Sequence, residues 1–355
     1  MADPLVRIQG AGPVGILLAL FLVKAGWSRS SIELIDPSID APLPTHDQDP
    51  RVLAISHGTL LRLQQLGVAH NATEIKQIHV SAEGKFGVMQ INNDRVGVSE
   101  LGALIGYGNL LTRLREKAHQ EGLQIAAKAN ANTAADVLVI AEGGLYQKDL
   151  KPQDGVLAQD YKQEAVIGWV ETQQPPGDSA WERFTADGAV ALLPVHDRYA
   201  LIWCCAPERA QSFRSAAPEQ QIDMLNQVMR DRAGRITQIK ITGAYPLGLK
   251  WRETIAQGHT VWIGNAAQTL HPIAGQGMNL GFRDAEALAS CLQQHGLPIP
   301  ERLTDYAKRR RTDRWAVRAA TDTLARKGWV RNAIGGVALI PGAKKLLGQV
   351  LMYGG

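Results

Sequence analysis

The sequence predicts a mixed α/β protein that combines a parallel βαβ unit with an inserted antiparallel sheet and a C-terminal helical segment. The first indication lies in residues 5–36, where a strand, a glycine turn, an apolar helix and a second strand follow one another. The second is the run Ala135–Ala141, which is apolar except for Asp136 and is typical of a strand buried on both faces. The third is the stretch Gln163–Cys205, where short apolar runs alternate with turn residues, as in antiparallel sheets.

The composition excludes several classes of protein. Of the 355 residues, 45% are apolar, which is enough to form real cores, and the length suits about two domains. No run approaches the roughly 18 apolar residues of a membrane-spanning helix, and the first residues lack the pattern of a secretory signal. We therefore expect a cytoplasmic protein. No cluster of His, Cys or carboxylate residues has metal-ligand spacing, so no metal site is predicted.

The βαβ unit carries a glycine motif at its first turn. Its elements are a strand at Leu5–Ile8, the turn Gly10–Gly15, a helix at Ile16–Ala25 and a strand at Ser31–Ile35. Gly10 permits a tight turn, Gly12 lets a pyrophosphate approach the backbone, and Gly15 lets the helix pack on the strand. The N terminus of the helix then presents free N–H groups and its positive dipole end to the phosphates.

Asp36 adds a second recognition element to this unit. It ends the second strand, 21 residues after Gly15, where a carboxylate can bond the ribose hydroxyls of an adenosine. The same carboxylate disfavours the 2′-phosphate of NADP. The sequence therefore predicts a Rossmann-like dinucleotide site without distinguishing NAD from FAD. Its candidate residues are Gly10, Gly12, Pro13, Val14, Gly15 and Asp36.

The remaining elements predict a discontinuous nucleotide domain. Helices are expected near 58–66 and 110–120, and strands between 75 and 98 and at 165–170, 181–185, 190–193 and 199–204. We expect the nucleotide domain to comprise residues 1–75, 100–160 and 245–320. The substrate domain would comprise 76–99 and 161–244, followed by C-terminal amphipathic helices at 321–355.

A second glycine loop distinguishes between the two cofactors. The strand Val261–Gly264 leads into a glycine-broken loop that opens a helix from about Met278 to His295. The backbone N–H groups of Gly277, Met278 and Asn279 would point outward at the positive end of this helix. Such an end suits a delocalised anion such as the N1–C2=O edge of reduced flavin, so the loop favours FAD.

Five segments together resemble a known family. They are the N-terminal glycine motif, Asp49–Ser56, Glu182–Thr185, Ala191–Pro194 and the block Gly264–Asp284. On these segments the chain resembles the FAD-dependent aromatic hydroxylases of ubiquinone biosynthesis, which have the para-hydroxybenzoate hydroxylase fold. The run Gly264–Pro272 is most similar to the 2-octaprenyl-6-methoxyphenol hydroxylase subgroup.

The resemblance implies further cofactor-binding residues. Arg51 would contact the flavin side of FAD, and Arg113 is a further candidate. Asn265 would take the place of an Asp that bonds the ribityl chain, because an amide oxygen accepts the same hydrogen bond.

The same resemblance implies residues around the reacting ring. Pro272, Gly275 and Gly277 would border the isoalloxazine ring and the substrate cavity. His271 is a catalytic candidate, although a His before Pro in a tight loop is more often a hydrogen-bonded structural residue.

The resemblance also implies a reaction. FAD would be reduced by two electrons, react with O2 to a C4a-hydroperoxide and transfer the distal oxygen to a polyprenylated phenol. NAD(P)H would be the transient reductant. Such chemistry needs a dry cavity, and the apolar sheet at Ala189–Leu193 would form its wall. The membrane surface and other quinone-biosynthesis proteins are the expected partners besides the hydrophobic phenol and O2.

One segment departs from the family pattern. Family members carry Ala-Asp-Gly followed by Ser and Arg after the strand Ala135–Ala141, whereas here Glu142 stands for the Asp and the Ser and Arg are absent. The electron donor is therefore open. Two alternatives to the hydroxylase also stay open: a flavin-binding but catalytically silent subunit of a quinone-biosynthesis assembly, and a flavin-dependent reductase of isoprenoid chains.

Basic residues concentrate in the C-terminal part, where residues 301–355 contain twelve Lys or Arg against four Asp or Glu. Lys308–Arg311, Arg314 and Arg318 are expected to form the solvated face of a helix whose other face carries Tyr306 and Trp315. Nucleic acid is not an expected partner, because aromatic and basic residues do not alternate on a sheet. The last forty residues are expected to be amphipathic helices that cover an anionic membrane, a partner subunit or the protein's own core.

Overall fold

The computed structural model of the protein describes residues 3–42, 51–69, 71–84, 88–143, 155–271 and 275–325. The described helices are α1 (Pro13–Lys24), α2 (His57–Gln65), α3 (Asn93–Val96), α4 (Tyr107–Gln120), α5 (Pro207–Ser215), α6 (Pro218–Met229), α7 (Gln276–Leu292) and α8 (Ile299–Ala325). The described strands are β1 (Val6–Gln9), β2 (Ile32–Ile35), β3 (Val52–Ser56), β4 (Thr73–Ile75), β5 (Gln77–Ala82), β6 (Val88–Asn92), β7 (Gly102–Gly106), β8 (Ile125–Ala126), β9 (Val137–Ile140), β10 (Val156–Thr172), β11 (Ser179–Phe184), β12 (Ala189–Val195), β13 (Arg198–Cys205), β14 (Ile236–Arg252), β15 (Ala256–Gln257), β16 (Thr260–Trp262) and β17 (Gln268–Thr269).

A six-stranded sheet, in the order β15-β16-β9-β1-β2-β8, contains the predicted βαβ unit. β1 pairs in parallel with β2 and with β9, and β9 pairs in parallel with β16. β15 runs antiparallel at one edge. Because parallel strands have their carboxyl ends at the same edge, the turns that follow β1, β2, β9 and β16 lie along one edge of this sheet.

A second sheet has eight strands in the order β17-β14-β10-β13-β12-β11-β5-β6, and a third has the order β3-β7-β4. The eight-stranded sheet is antiparallel except where β11 pairs with β5. The predicted fold class, α/β with an inserted antiparallel sheet, is confirmed. β14 runs without interruption across the expected domain boundary at 244/245, so the sheet extends towards the nucleotide domain.

α1 is buried along most of its length and contacts α4 and α7 as well as the six-stranded sheet. Its apolar residues from Ile16 to Leu22 belong to one core cluster that also includes residues of β1, β9, α4 and α7. The apolar residues that predict α1 therefore also hold the helix in its position. The first turn of α1 is held at the edge where the parallel strands end.

Besides α1, which begins at Pro13 rather than at Ile16, two helices begin earlier than the sequence indicates. α4 begins at Tyr107 rather than near Leu110, and α7 begins at Gln276 rather than at Met278. In both cases a glycine is the N-cap residue, and the apolar periodicity starts one turn inside the helix. Hydrophobic spacing alone therefore locates the buried part of a helix better than its first residue.

The expectation for the basic face of α8 is wrong for two of its arginines. Arg310 is 6% and Arg314 is 4% exposed, whereas Trp315, expected on the buried face, is 67% exposed. Both guanidinium groups point into the protein because acidic and amide groups of α7 and the preceding loop accept their hydrogen bonds. Within the described ranges, every helix is too short or too polar to cross a lipid bilayer.

Candidate functional site

Two glycines of the first turn are required by packing. Gly10 has a φ of 105°, and a Cβ there would lie 2.7 Å from the backbone nitrogen of Glu142. A Cβ at Gly15 would overlap the carbonyl oxygen of Gly10. The turn therefore needs glycine at both positions whether or not a ligand is bound, because any side chain would collide with the backbone.

Gly12 is not required by packing. It is the N-cap residue of α1, and among the described residues a Cβ there would approach a single atom, the hydroxyl oxygen of Tyr107 at 3.9 Å. No side chain caps the helix, and its first turn, which starts with Pro13, contains no acidic residue. The N terminus of α1 therefore faces open space in which an anion can accept its free N–H groups.

Arg51 and Tyr107 border this open space. The guanidinium carbon of Arg51 lies 3.9 Å from the centre of the Tyr107 ring, and the Tyr107 N–H donates to the Arg51 carbonyl at 3.0 Å. The structure thus places the predicted cofactor residue Arg51 beside Gly12. Tyr107 is missed by the sequence reasoning. The feature of the sequence that could have indicated it is a strand-to-helix turn, because Gly106 ends the buried strand β7 and precedes α4.

The second glycine loop ends at the beginning of α7. Its N-cap residue Gly275 has a φ of 59°, and a Cβ there would lie 2.9 Å from the Cβ of Ala54. A Cβ at Gly277, in contrast, would meet no described atom within 4 Å. α7 has no side-chain cap and no acidic residue in its first turn. Gly277, like Gly12, therefore lies at a helix N terminus where no described side chain caps the helix or fills the space beside the glycine.

The first turn of α1 lies against the second turn of α7 and against Gly264 of the loop that leads to α7. A Cβ at Gly264 would lie 3.1 Å from Cγ2 of Val14, and a Cβ at Gly281 would lie 2.8 Å from the same atom and 3.2 Å from Cα of Gly264. Residues about 250 positions apart in the chain are thus in van der Waals contact. One FAD molecule bound by both glycine loops requires these remote loops to lie together, and in the structure they do.

Asn279 holds β3 against the first turn of α7. Its Oδ1 accepts hydrogen bonds from the Ser56 N–H at 2.9 Å and from the Thr59 hydroxyl at 2.8 Å. Its amide donates to the carbonyls of Ala54 at 3.0 Å and Gly275 at 2.9 Å. The side chain is buried and fully hydrogen-bonded. Asn279 was predicted to bind the cofactor, and in the structure its side chain connects two elements of the site.

Asp36 lies where the sequence places it, at the carboxyl end of β2. Its Oδ1 accepts hydrogen bonds from the backbone N–H and the hydroxyl of Ser38, at 2.9 and 2.6 Å. Its Oδ2 lies 3.6 Å from a guanidinium nitrogen of Arg115. The second oxygen keeps acceptor capacity for a ribose hydroxyl.

The other predicted cofactor residues lie at different distances from this junction. Asn265 is exposed and directly follows Gly264, so it lies next to the first turn of α1. Met278 is half-buried and packs against the core cluster of α1. Arg113 lies in the second turn of α4, where its exposed guanidinium pairs with Glu116 at 3.1 Å.

His271 is buried and hydrogen-bonded. Its Nε2 lies 3.1 Å from Oε1 of Gln163, and its ring packs edge-on against Tyr161, with 5.3 Å between ring centres. Burial lowers the pKa of His271 to about 4, so the ring is neutral near pH 7. These contacts are those of a structural histidine. The neighbouring candidate Pro272 lies outside the described residues.

We expect His271 to make the protein less stable as the pH falls. Its pKa is about 4 in the folded state and 6.5 in the unfolded state, so between these values the unfolded state binds more protons and stability rises with pH. From about pH 7.5 to about pH 5 this contribution is roughly 2 kcal/mol. Between these two pH values, the free energy of unfolding of His271→Gln, measured in urea, should therefore fall by roughly 2 kcal/mol less than that of the wild type. The exposed His196→Gln is the control and should behave as the wild type does; equal losses in all three proteins would contradict the assignment.

A buried charged network holds the loop that leads to α7. Oδ2 of Asp284 accepts hydrogen bonds from the Gly264 N–H at 3.1 Å and from Nε2 of Gln268 at 2.7 Å. Oδ1 of Asp284 accepts from Nε of Arg310 at 2.7 Å. Arg314 donates to Oε1 of Gln268, also at 2.7 Å. α7 and α8 together therefore fix both ends of the segment 264–268.

A second carboxylate completes this network. Asp313 accepts hydrogen bonds from Arg283 at 2.8 Å and lies 2.6 Å from Arg310. Burial lowers the pKa of the Arg310 guanidinium, but the charges of Asp284 and Asp313 outweigh burial and raise it. All of these side chains are buried. The sequence reasoning missed the network, although the spacing of Arg310 and Arg314 puts both on one face of the helix.

The described residues fit FAD better than a mononucleotide. The site offers each end of a dinucleotide one uncapped helix N terminus, at Gly12 and at Gly277. The two helices contact each other. At both positions the space that a side chain would fill is open. Neither first turn contains a carboxylate that would repel a diphosphate or an anionic flavin.

Comparisons with known proteins agree with this geometry. A family profile described as "FAD binding domain" matches residues 161–321. The chain is 29% identical over 350 residues to 3-demethoxyubiquinol 3-hydroxylase of Escherichia coli, covering 89% of this chain and 88% of that protein. It is 25% identical to the ubiquinone biosynthesis monooxygenase COQ6 of Caenorhabditis elegans, covering 80% of this chain and 78% of that one. Among solved structures, PqsL of Pseudomonas aeruginosa, a probable FAD-dependent monooxygenase, superposes with a TM-score of 0.74 at 18% identity, covering 94% of this chain and 99% of that chain.

Proposed function

We propose that this chain belongs to the FAD-dependent monooxygenases with the para-hydroxybenzoate hydroxylase fold and that it hydroxylates the ring of a polyprenylated phenol in ubiquinone biosynthesis. The names of the relatives from Escherichia coli and Caenorhabditis elegans support this substrate class. The observation that carries the proposal is the contact of Val14, in the first turn of α1, with Gly264 and with Gly281 of α7. That contact gives one dinucleotide a site for each of its ends.

We assign the two ends of FAD to the two helices. The pyrophosphate would accept hydrogen bonds at the N terminus of α1, where Gly12 leaves room for it, and Asp36 would bind the adenosine ribose. The flavin ring would lie at the N terminus of α7, beside Gly277, with Arg51 and Asn265 at its side. The positive end of α7 would stabilise negative charge at this point, which favours the reduced state of the flavin.

FAD would supply the redox chemistry, and the protein would supply position and a dry environment. In the net reaction a ring hydrogen of the phenol is replaced by a hydroxyl that contains one atom of O2. The other atom leaves as water, and a two-electron donor with two protons balances the reaction. The apolar residues of β12 and β13 would line the cavity and exclude water from the reacting ring.

The reaction is tested with purified holoprotein, a short-tailed prenylated phenol, a chemical reductant of the flavin and isotopically labelled O2. We expect a hydroxylated product that carries one labelled oxygen atom. A silent subunit would yield no product, and a reductase of isoprenoid chains would turn over without O2. Either outcome would overturn the hydroxylase. In cells, loss of the gene product should cause a prenylated phenol to accumulate, and that intermediate identifies the ring position.

We propose NAD(P)H as the transient reductant. Glu142, which replaces the family's Asp, lies directly behind the first turn, because its backbone nitrogen faces Gly10. Anaerobic mixing of the holoprotein with NADH or NADPH should bleach the flavin. If neither nucleotide bleaches it while dithionite does, the electrons come from another donor.

We also propose that the protein works at a membrane surface, because the proposed substrate carries a lipid tail. Flotation with anionic vesicles should recover the protein in the lipid fraction. Recovery in the soluble fraction, with or without substrate in the vesicles, would contradict this location.

A further inference from the structure

Four half-buried residues form a row across the middle of the eight-stranded sheet. Glu182 on β11 is paired with Ala191 on β12, Ala191 with Ile202 on β13, and Ile202 with Ile167 on β10. Directly paired residues of neighbouring strands project to the same face of a sheet. The four side chains therefore form one continuous line on one face. We call it the Glu182 row.

Most neighbours of this row on the same face are buried, and Leu193, which flanks Ala191 on β12, is half-buried. Ala180 and Phe184 flank Glu182, and both are buried. The same holds on β13, where Ala200 and Cys204 flank Ile202. On β10 the flanking residues are Trp169 and Ala165, which are also buried. A half-buried row of residues between largely buried neighbours indicates that the row forms the floor of an internal hollow.

Two separate core clusters close this face on either side of the row. One joins Ala180, Ala200 and Trp169 to residues of β3 and β7. The other joins Phe184, Cys204 and Ala165 to residues of β5 and β6. The opposite face of the sheet packs against α5 and α6. The row therefore lies on the face that is turned to the candidate site.

The row also has a structural link to the beginning of α7. Ala54 of β3 packs against the cluster beside the row, and its Cβ is the atom that a side chain at Gly275 would meet. Gly275 is the N-cap residue of α7. β3 thus contacts both the cluster beside the row and the N terminus of α7, so the row and the proposed position of the flavin ring border the same strand.

Glu182 is the polar member of an otherwise apolar row. No described residue donates a hydrogen bond to its carboxyl group, and burial raises its pKa to about 7. The titratable group that faces it is the Cys204 thiol of β13, and burial raises the pKa of that thiol far above neutral. Glu182 is therefore the group of this row that can ionise near pH 7.

We propose that the carboxylate of Glu182 accepts a hydrogen bond from the ring hydroxyl of the aromatic substrate and so sets the orientation of the ring, while Ala191, Ile202 and Ile167 contact its apolar part. This inference rests on the proposed function. A hydrogen bond to a carboxylate also withdraws the phenolic proton from its oxygen and makes the ring more electron-rich, which suits attack by an electrophilic oxygen. A substrate whose hydroxyl is methylated cannot donate this hydrogen bond.

The test compares a short-tailed prenylated phenol with its methyl ether, by equilibrium binding to the oxidised holoprotein. We expect the wild type to prefer the phenol about tenfold near pH 8, and the preference to fall as the pH drops through about 7. In Glu182→Leu the preference should disappear at every pH. In the isosteric Glu182→Gln a small preference should remain that does not change with pH. The exposed Glu171→Leu of the same sheet is the control and should keep the preference of the wild type.

The outcomes distinguish this inference from the proposed function. One outcome is that the wild type hydroxylates the phenol while Glu182→Leu, which has a normal FAD content, keeps the tenfold preference. The assignment of Glu182 is then wrong, and the proposed hydroxylase function stands. If the wild type binds phenol and ether equally, the assignment is also wrong. If the wild type binds neither compound, the substrate class fails and the inference fails with it.

Discussion

Replacing Gly12 with valine should remove FAD from the purified protein. Packing does not require glycine here, since a Cβ would approach one atom, the Tyr107 hydroxyl at 3.9 Å, among the described residues. A valine side chain would instead occupy the space at the N terminus of α1 that we assign to the pyrophosphate. Loss of two charge-assisted hydrogen bonds of about 1.5 kcal/mol each weakens binding about a hundredfold. FAD titration of the apoprotein, followed by flavin fluorescence, measures this change.

The control is Gly296→Val, because Gly296 also faces open space and lies in the loop between α7 and α8, away from both glycine loops. It should bind FAD as the wild type does. The apoproteins should unfold within about 1 kcal/mol of each other, which is the usual cost of an unfavourable N-cap residue. A Gly12→Val protein that is yellow and has wild-type affinity would disprove the assignment of the phosphate turn.

Asp284→Ala should destabilise the protein by about 3 to 5 kcal/mol. Asp284 is fully buried and accepts hydrogen bonds from Gly264, Gln268 and Arg310. Its removal leaves a buried guanidinium without one of its two carboxylates and frees the loop that precedes α7. Urea unfolding of the apoprotein measures the loss of stability. FAD affinity should fall as well, because the loop that joins the two halves of the site is no longer held.

Asp305→Ala is the control for this prediction. Asp305 pairs with Arg309 at 2.9 Å on α8, where both side chains are partly exposed, so its removal should cost less than about 1 kcal/mol. In a double-mutant cycle, Asp284→Ala and Arg310→Met should together cost less than the sum of the two single substitutions. Equal stability losses for Asp284→Ala and Asp305→Ala would show that the buried network does not stabilise the fold.

Local patterns predicted the βαβ unit that carries the first glycine turn. Gly10, Gly12, Gly15 and Asp36 lie within this unit, although Gly10 also packs on the backbone of Glu142 and Asp36 also pairs with Arg115. The strand Ala135–Ala141 is also confirmed, as β9 at Val137–Ile140, because an apolar run of that length is unambiguous between two turns. The convergence of this unit with the second loop is not a local property. The first loop suits a diphosphate and the second suits a flavin, and one molecule of FAD contains both groups, so the two loops must meet if they bind the same cofactor.

Residues whose role depends on distant partners were missed. The sequence around Arg310 and Arg314 is that of a solvated helix face, and only the position of Asp284 and Gln268 explains their burial. Tyr107 follows an ordinary strand, and its importance comes from its position over Gly12 and under Arg51. Glu182 becomes distinct from other strand carboxylates only when the register of four strands is known.

The central claim is that two remote loops bind the two ends of one FAD molecule, and a fragment titration tests it most directly. Apoproteins of the wild type, Gly12→Val and Gly277→Val are titrated with FAD and with ADP, which contains only the adenosine and diphosphate end. We predict that Gly12→Val loses affinity for both ligands, whereas Gly277→Val loses at least about tenfold for FAD and binds ADP as the wild type does. The claim would be contradicted if Gly277→Val bound FAD with wild-type affinity, or if both variants lost the same affinity for ADP.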